Sequence, residues 1–181
     1  MRHLLLCTIL VGCSGSASDD PTDATAIGDD DDVVGDDDDV TDDDPCEPPG
    51  EATLTVGLGM TGYEDLPEGS PFPLIHGPQG GFHLEVGLKA TNVVQDSGDF
   101  LRGELIGRVE ALDLEAAAYP YLDMRCVRTH RESYGTLLVL SEGEVRPEEL
   151  DGQTVVIEAT LTDHDGTVVT TSRSFVIEDT E

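Results

Sequence analysis

The sequence predicts an all-β domain, a single antiparallel β-sandwich of about seven strands, carried behind a disordered N-terminal tether rich in Asp. Three observations predict it. Apolar and polar residues alternate with period two through seven short segments, turn residues separate those segments, and helical periodicity is scarce. With 181 residues and 38% hydrophobic content, the chain is long enough for one modest core and too short for two.

The elements follow in chain order. Ala52, Leu54, Val56 and Leu58 alternate with polar positions; Phe82, Leu84, Val86, Leu88 and Ala90 do so again, with His83, Glu85 and Lys89 opposite. Leu101, Gly103, Leu105, Gly107, Val109 and Ala111 form a third set backed by Arg102, Glu104, Arg108 and Glu110. Leu122, Met124 and Cys126 make a fourth, Leu138 and Leu140 mark a fifth, and Val155, Ile157, Ala159 and Leu161 a sixth. Asp165-Gly166 is a hairpin signal, with the return strand over Thr167 to Ile177. Such patterning gives each sheet one wet and one buried face. Only Leu112 to Ala118 and Arg146 to Leu150 have the composition for a helical turn.

Ahead of the domain the composition is different. Between Asp19 and Asp44 there are 14 Asp and no basic residue, and the whole chain carries a formal charge of −30. Such a segment cannot bury enough apolar surface to offset its chain entropy, so residues 13–45 are expected to be a solvated, self-repelling spacer. Its Asp runs, Asp29, Asp30, Asp31 and Asp32, then Asp36, Asp37, Asp38 and Asp39, are weak candidates for calcium. A tight site needs about 6–8 oxygens held by turns, and unbroken Asp holds cations as a loose cloud. A polyanion of this size repels phosphate backbones, which excludes nucleic acid as a partner.

At the start of the chain, Met1-Arg2-His3 precedes the apolar run Leu4 to Val11. The run is too short to span a bilayer, which takes about 20 residues. It ends in Leu10-Val11-Gly12-Cys13, which resembles the lipobox of bacterial lipoproteins. The resemblance implies that residues 1–12 are a signal peptide, that Cys13 carries the lipid, and that Ser14 directs the protein to the outer membrane. An ordinary secretory signal cut after Ala17 or Ser18 is the alternative. Export leaves Cys46 and Cys126 as an even pair in an oxidising compartment, where a disulfide between them is expected. The last 35 or so residues, with Leu150-Asp151-Gly152, a strand over Thr154 to Leu161 and the Asp163-to-Gly166 turn, resemble the final strand pair of immunoglobulin-like bacterial surface domains. That resemblance implies an immunoglobulin-like arrangement for residues 46–181.

Few residues carry chemistry. Asp163-x-Asp165-Gly166 hints at a calcium loop, yet with Gly166 at position six of that motif, Leu161 and Ser172 fall where ligands are required. His83 and Glu85 share a strand face, and with His76 they make a three-ligand metal site conceivable. Gly77 to Gly81 lacks a phosphate-loop pattern. Arg125, Arg128, His130 and Arg131 are the densest basic patch: a solvated loop, with a docking point for an anion or an anchor for the acidic tail as alternatives. Tyr119 and Tyr121 point to one face of an extended segment, and cross-strand packing is their expected use, with an exposed platform for sugar or protein as the other. No nucleophile elbow, zinc motif or cofactor fingerprint is present. The expectation is a non-enzymatic, lipid-anchored envelope module that contacts protein or glycan. Its rivals are a small hydrolase or metal-dependent enzyme on the same scaffold, and a cation-sequestering lipoprotein working through the Asp run.

Overall fold

The computed structural model describes residues 44–46, 49–78, 80–140 and 145–180. It is an all-β fold, 56% strand and 5% helix. Ten strands form it: β1 (Thr53–Leu58), β2 (Pro71–His76), β3 (Phe82–Thr91), β4 (Leu101–Val109), β5 (Leu114–Ala118), β6 (Tyr121–Leu122), β7 (Arg125–Val127), β8 (His130–Val139), β9 (Thr154–Thr162) and β10 (Val168–Asp179). One helical turn, α1 (Pro147–Leu150), leads into β9.

The strands hydrogen-bond along one path, β5-β4-β9-β10-β2-β3-β8-β7, with β1 also on β3 and β6 also on β4. The path doubles back at β2. Pro71 to Leu74 run parallel to Val176–Asp179 of β10, while Ile75 and His76 pair antiparallel with β3. The two halves of the path therefore face one another: β1 lies against β9 and β10, and β5 against β8. Between them sits one core, with Phe72, Leu84, Leu88, Leu105, Leu138, Ile157 and Phe175 fully buried. Phe72 and Phe175 bring their rings to 5.1 Å across the fold point. Burial of each large apolar side chain contributes about 1.5–3 kcal/mol.

Expected and observed elements differ at three places. Among the described residues ten strands form instead of about seven, and one pairing is parallel in an otherwise antiparallel set. The unexpected β2 contains Pro71 and Pro73, which read as loop residues. Along that half of the strand, however, pairing is with β10 alone, so the missing N–H groups cost no ladder bonds. Leu112 to Ala118 is not a helical turn. A short 3-10 turn over Glu110–Leu112 stops at Asp113, which adopts φ 50° and donates its N–H to Glu110 O, and the Ala-rich stretch then pairs with β4. Alanine's helix preference yields here to tertiary pairing. The turn expected at Arg146 to Leu150 is α1, whose first turn is closed by the Arg146 N–H donating to Glu149 Oε2 at 2.9 Å.

The β9–β10 hairpin turns at Asp163 to Thr167, as the Asp165-Gly166 signal predicts. Asp163 organises it: its buried carboxylate accepts the Thr167 N–H at 2.8 Å and the Val94 N–H at 3.2 Å. Those two backbone donors occupy the oxygens that a calcium loop would have offered.

Candidate functional site

The folded path brings its two ends together without joining them. β5 of one half faces β8 of the other, and no hydrogen-bonded ladder links them among the described residues. At this unsealed seam lies a groove of about 590 Å³ lined by Tyr119, Tyr121, Arg125, Glu132, Ser133 and Tyr134 among others. Three of the chain's four tyrosines thus converge on one depression.

Local sequence fixes each ring. Tyr119-Pro120-Tyr121 crosses from β5 to β6, and the Gly103 N–H of β4 holds Pro120 O at 2.9 Å. A side chain at Gly103 would bring its Cβ within 2.9 Å of Leu122 Cδ1 and 3.0 Å of Pro120 Cγ, so glycine there lets the segment lie flat on β4. Proline removes one backbone freedom between the two rings. Tyr119 and Tyr121 are 69% and 73% exposed, with Tyr121 opposite Arg102 of β4, so both rings stand largely open to solvent. Pro120 and the chain crossing turn both rings outward, where no neighbouring strand covers them.

Tyr134 arrives by a different device. The β3–β8 register slips between Val86 and Leu88, which pair with Thr136 and Ser133, so Tyr134 and Gly135 together oppose Gly87 and β8 carries one extra residue. Gly135 takes φ 76° at this bulge. Before it Arg131 and Ser133 point inward; after it Leu138 does. Bulges re-aim side chains, and this one delivers Tyr134 to the groove, where the Arg125 guanidinium lies 5.5 Å from the ring centre. Around the rings are hydrogen-bonding groups of both kinds. Glu132 Oε1 is bonded to His130 Nε2 at 2.7 Å, and Asp123 Oδ1 accepts from Gln95 Nε2 at 3.3 Å. Ser133 Oγ, buried in the wall, has no partner.

Tyr121 also borders a second depression of about 480 Å³, lined by Asp99, Phe100, Arg102 and His164. Phe100 is 55% exposed there. Tyr121 lines both depressions.

The basic patch does not act as one surface. Arg125 belongs to the groove. Arg128 sits at φ 63° in the two-residue turn between β7 and β8, exposed. Arg131 pairs with Cys126 and points into the protein, 5% exposed. Its Nη2 binds Asp44 Oδ2, and its Nε donates to Val93 O at 3.3 Å. Asp44, the last of the acidic run, also accepts the Cys46 N–H at 2.8 Å. Cys46 and Cys126 are disulfide-bonded, with Cα atoms 5.8 Å apart, as export would favour. A salt bridge and a disulfide therefore fasten the start of the domain to β7 and β8. The anchor alternative holds for Arg131 alone.

No three-ligand metal site forms from His76, His83 and Glu85. His83 Nε2 and Glu85 Oε1 do share a face, 3.7 Å apart, but His76 pairs with Phe82 and so lies on the opposite, inner face, bonded to Asp179 at 3.0 Å. Elsewhere Asp44, Cys46 and Cys126 cluster, but their sulfurs are spent on each other. Asp96, Asp99 and His164 cluster at the surface, with His164 Nδ1 accepting the Asp96 N–H at 2.9 Å. Cys13 and the Asp runs at 29–32 and 36–39 lie outside the described residues.

Sequence reasoning missed two positioned groups. For Tyr134 the one sequence hint was Gly135, a glycine inside a strand segment, which signals a bulge without fixing its register. Arg173 of β10 had no local signal. Its Nη1 donates to Asp65 Oδ1 at 2.6 Å, Leu66 O at 2.7 Å and Val56 O at 3.2 Å, tying the loop after β1 to the far half of the path. That guanidinium holds the Asp65 carboxyl below the usual range. Burial first, and Asp65 beside it, push the Tyr63 phenol well up.

The chain matches no protein-family model, and no curated protein matches it.

Proposed function

We propose that this protein is an exported lipoprotein of the bacterial envelope, acylated at Cys13 and held in the outer membrane, whose β domain is a non-enzymatic binding module. The observation that carries the binding part is the convergence of Tyr119, Tyr121, Tyr134 and Arg125 on an open groove. Exposed rings held by backbone geometry lose little entropy when a ligand covers them. The 14 Asp between Asp19 and Asp44 serve as a spacer that keeps the domain off the membrane. The final hairpin and the early strand β2 running parallel to β10 support an immunoglobulin-like reading of the domain.

The intact mass of the membrane-extracted protein tests the address. A product that begins at Cys13 and carries acyl chains is expected. One that keeps Met1, or begins downstream without acyl mass, refutes it. Binding is tested on the same preparation as described next.

A further inference from the structure

We propose that the seam binds an uncharged, linear oligosaccharide laid across Tyr121, with successive sugar rings stacked on Tyr119 and Tyr134 on one side and on Phe100 on the other. This rests on the groove being the binding site of a tethered module, and it names the ligand class.

Three observations select that class. The first is shape. Two depressions of about 590 and 480 Å³ meet at one exposed ring, an arrangement that suits an extended chain better than a compact metabolite. Each is of the size of a small-ligand site, about 300–1,000 Å³, and neither is a broad flat face such as protein partners bury. The second is chemistry. Tyrosine faces take the apolar C–H face of a pyranose, while Arg125, Arg102, Glu132 and Asp123 supply the donors and acceptors that sugar hydroxyls need. The third is charge. The chain carries a formal charge of −30, and the groove itself pairs one arginine with two carboxylates, so it offers no net positive charge to an anionic polymer and a neutral chain meets no net repulsion.

The chain contains no Trp and four Tyr, of which three line the seam, so intrinsic tyrosine emission reports occupancy directly. The full chain, detergent-solubilised, is titrated with cellohexaose, chitohexaose and maltoheptaose, and with hexagalacturonate and deca-arginine as charged probes. Saturable quenching by at least one neutral oligosaccharide is expected, with hexagalacturonate at least about tenfold weaker. Calorimetry on Tyr119→Ala and Tyr121→Ala is expected to show about three- to tenfold weaker binding for each, from stacking lost. Tyr119→Phe keeps the ring and is expected to stay within about twofold. Phe100→Ala weakens the hexasaccharides and leaves a disaccharide unchanged. Absence of neutral binding up to about 10 mM overturns the proposal. If deca-arginine binds instead and Tyr121→Ala abolishes it, the sugar assignment is wrong and the groove survives as a protein site. If neither probe binds the folded chain, the binding-module reading falls as well.

Discussion

Asp44→Asn isolates the contact that fastens the acidic segment to the domain. Asp44 makes two bonds: Oδ1 takes the Cys46 N–H at 2.8 Å, and Oδ2 takes the buried guanidinium of Arg131. Asparagine keeps an acceptor for Cys46 and removes the charge facing Arg131, whose side chain is 6% exposed against 34% for Asp44. A fully buried pair broken on one side costs about 3–5 kcal/mol. A charged hydrogen bond in a half-open setting is worth about 1.5–3 kcal/mol, and the exposure of Asp44, together with the Val93 O acceptor left to Arg131, puts the expected loss at about 2 kcal/mol. For a domain of this size that lowers Tm by about 6–8 °C. Urea unfolding at neutral pH reads it as a shift in midpoint with an unchanged slope. The disulfide spans 80 residues of sequence and restrains the same segment. In the chain-entropy argument it is worth about 4.5 kcal/mol. Because both restraints hold residues 44–46, their losses are coupled, and Asp44→Asn in a Cys46→Ser, Cys126→Ser background costs at least about 0.5 kcal/mol less than alone. A loss under about 0.3 kcal/mol in the disulfide-bonded protein would show that Arg131 does not depend on Asp44 and would refute the reasoning.

Three further outcomes follow from the geometry. Gly103→Ala places a methyl against Pro120 and Leu122, so it costs about 1–3 kcal/mol and weakens oligosaccharide binding more than it alters circular dichroism of the strands. Gly135→Ala meets no atom within 4 Å, so its expected cost of about 1–2 kcal/mol is the backbone penalty of a positive φ alone, and denaturant melts of the variant check it. Asp65 is held below the ordinary carboxylate range by Arg173, so its stabilisation is present above pH of about 4 and is lost as pH falls through the lowered folded-state value. Arg173→Gln should remove that acid-sensitive component, and a pH series of urea midpoints that keeps the wild-type slope between about pH 4 and 2 would contradict the assignment.

The strands with apolar alternation, β1, β3, β4, β9 and β10, were legible because each buries one face and period two records it. What escaped was set by partners distant in sequence. β2 is a strand only because β10 offers a parallel edge to a proline-containing segment, and β5 is a strand only because β4 overrules its alanines. The inner face of β8 begins with Arg131 and Ser133, polar residues that give no hydrophobic signal, so the register and the bulge that exposes Tyr134 were hidden. Tyr119, Tyr121 and Arg125 were visible as candidates, but which of them share a surface depends on how the sheet closes. Arg131 sits two residues from a disulfide partner's hairpin turn and looked like its neighbours, although pairing with Cys126 turns it inward.

The sulfur bridge between Cys46 and Cys126 also decides how the domain bears load. Without it, a pull on the chain ahead of Asp44 would meet only the Asp44–Arg131 ion pair and the Asn92 bond to Glu51 O before it reached β1 at Thr53. With the bridge in place, tension jumps from Cys46 to the β7–β8 hairpin and leaves the intervening polypeptide slack. Reduction of that disulfide by an added dithiol would then leave the first strand held at its leading end by the ion pair and the backbone ladder alone.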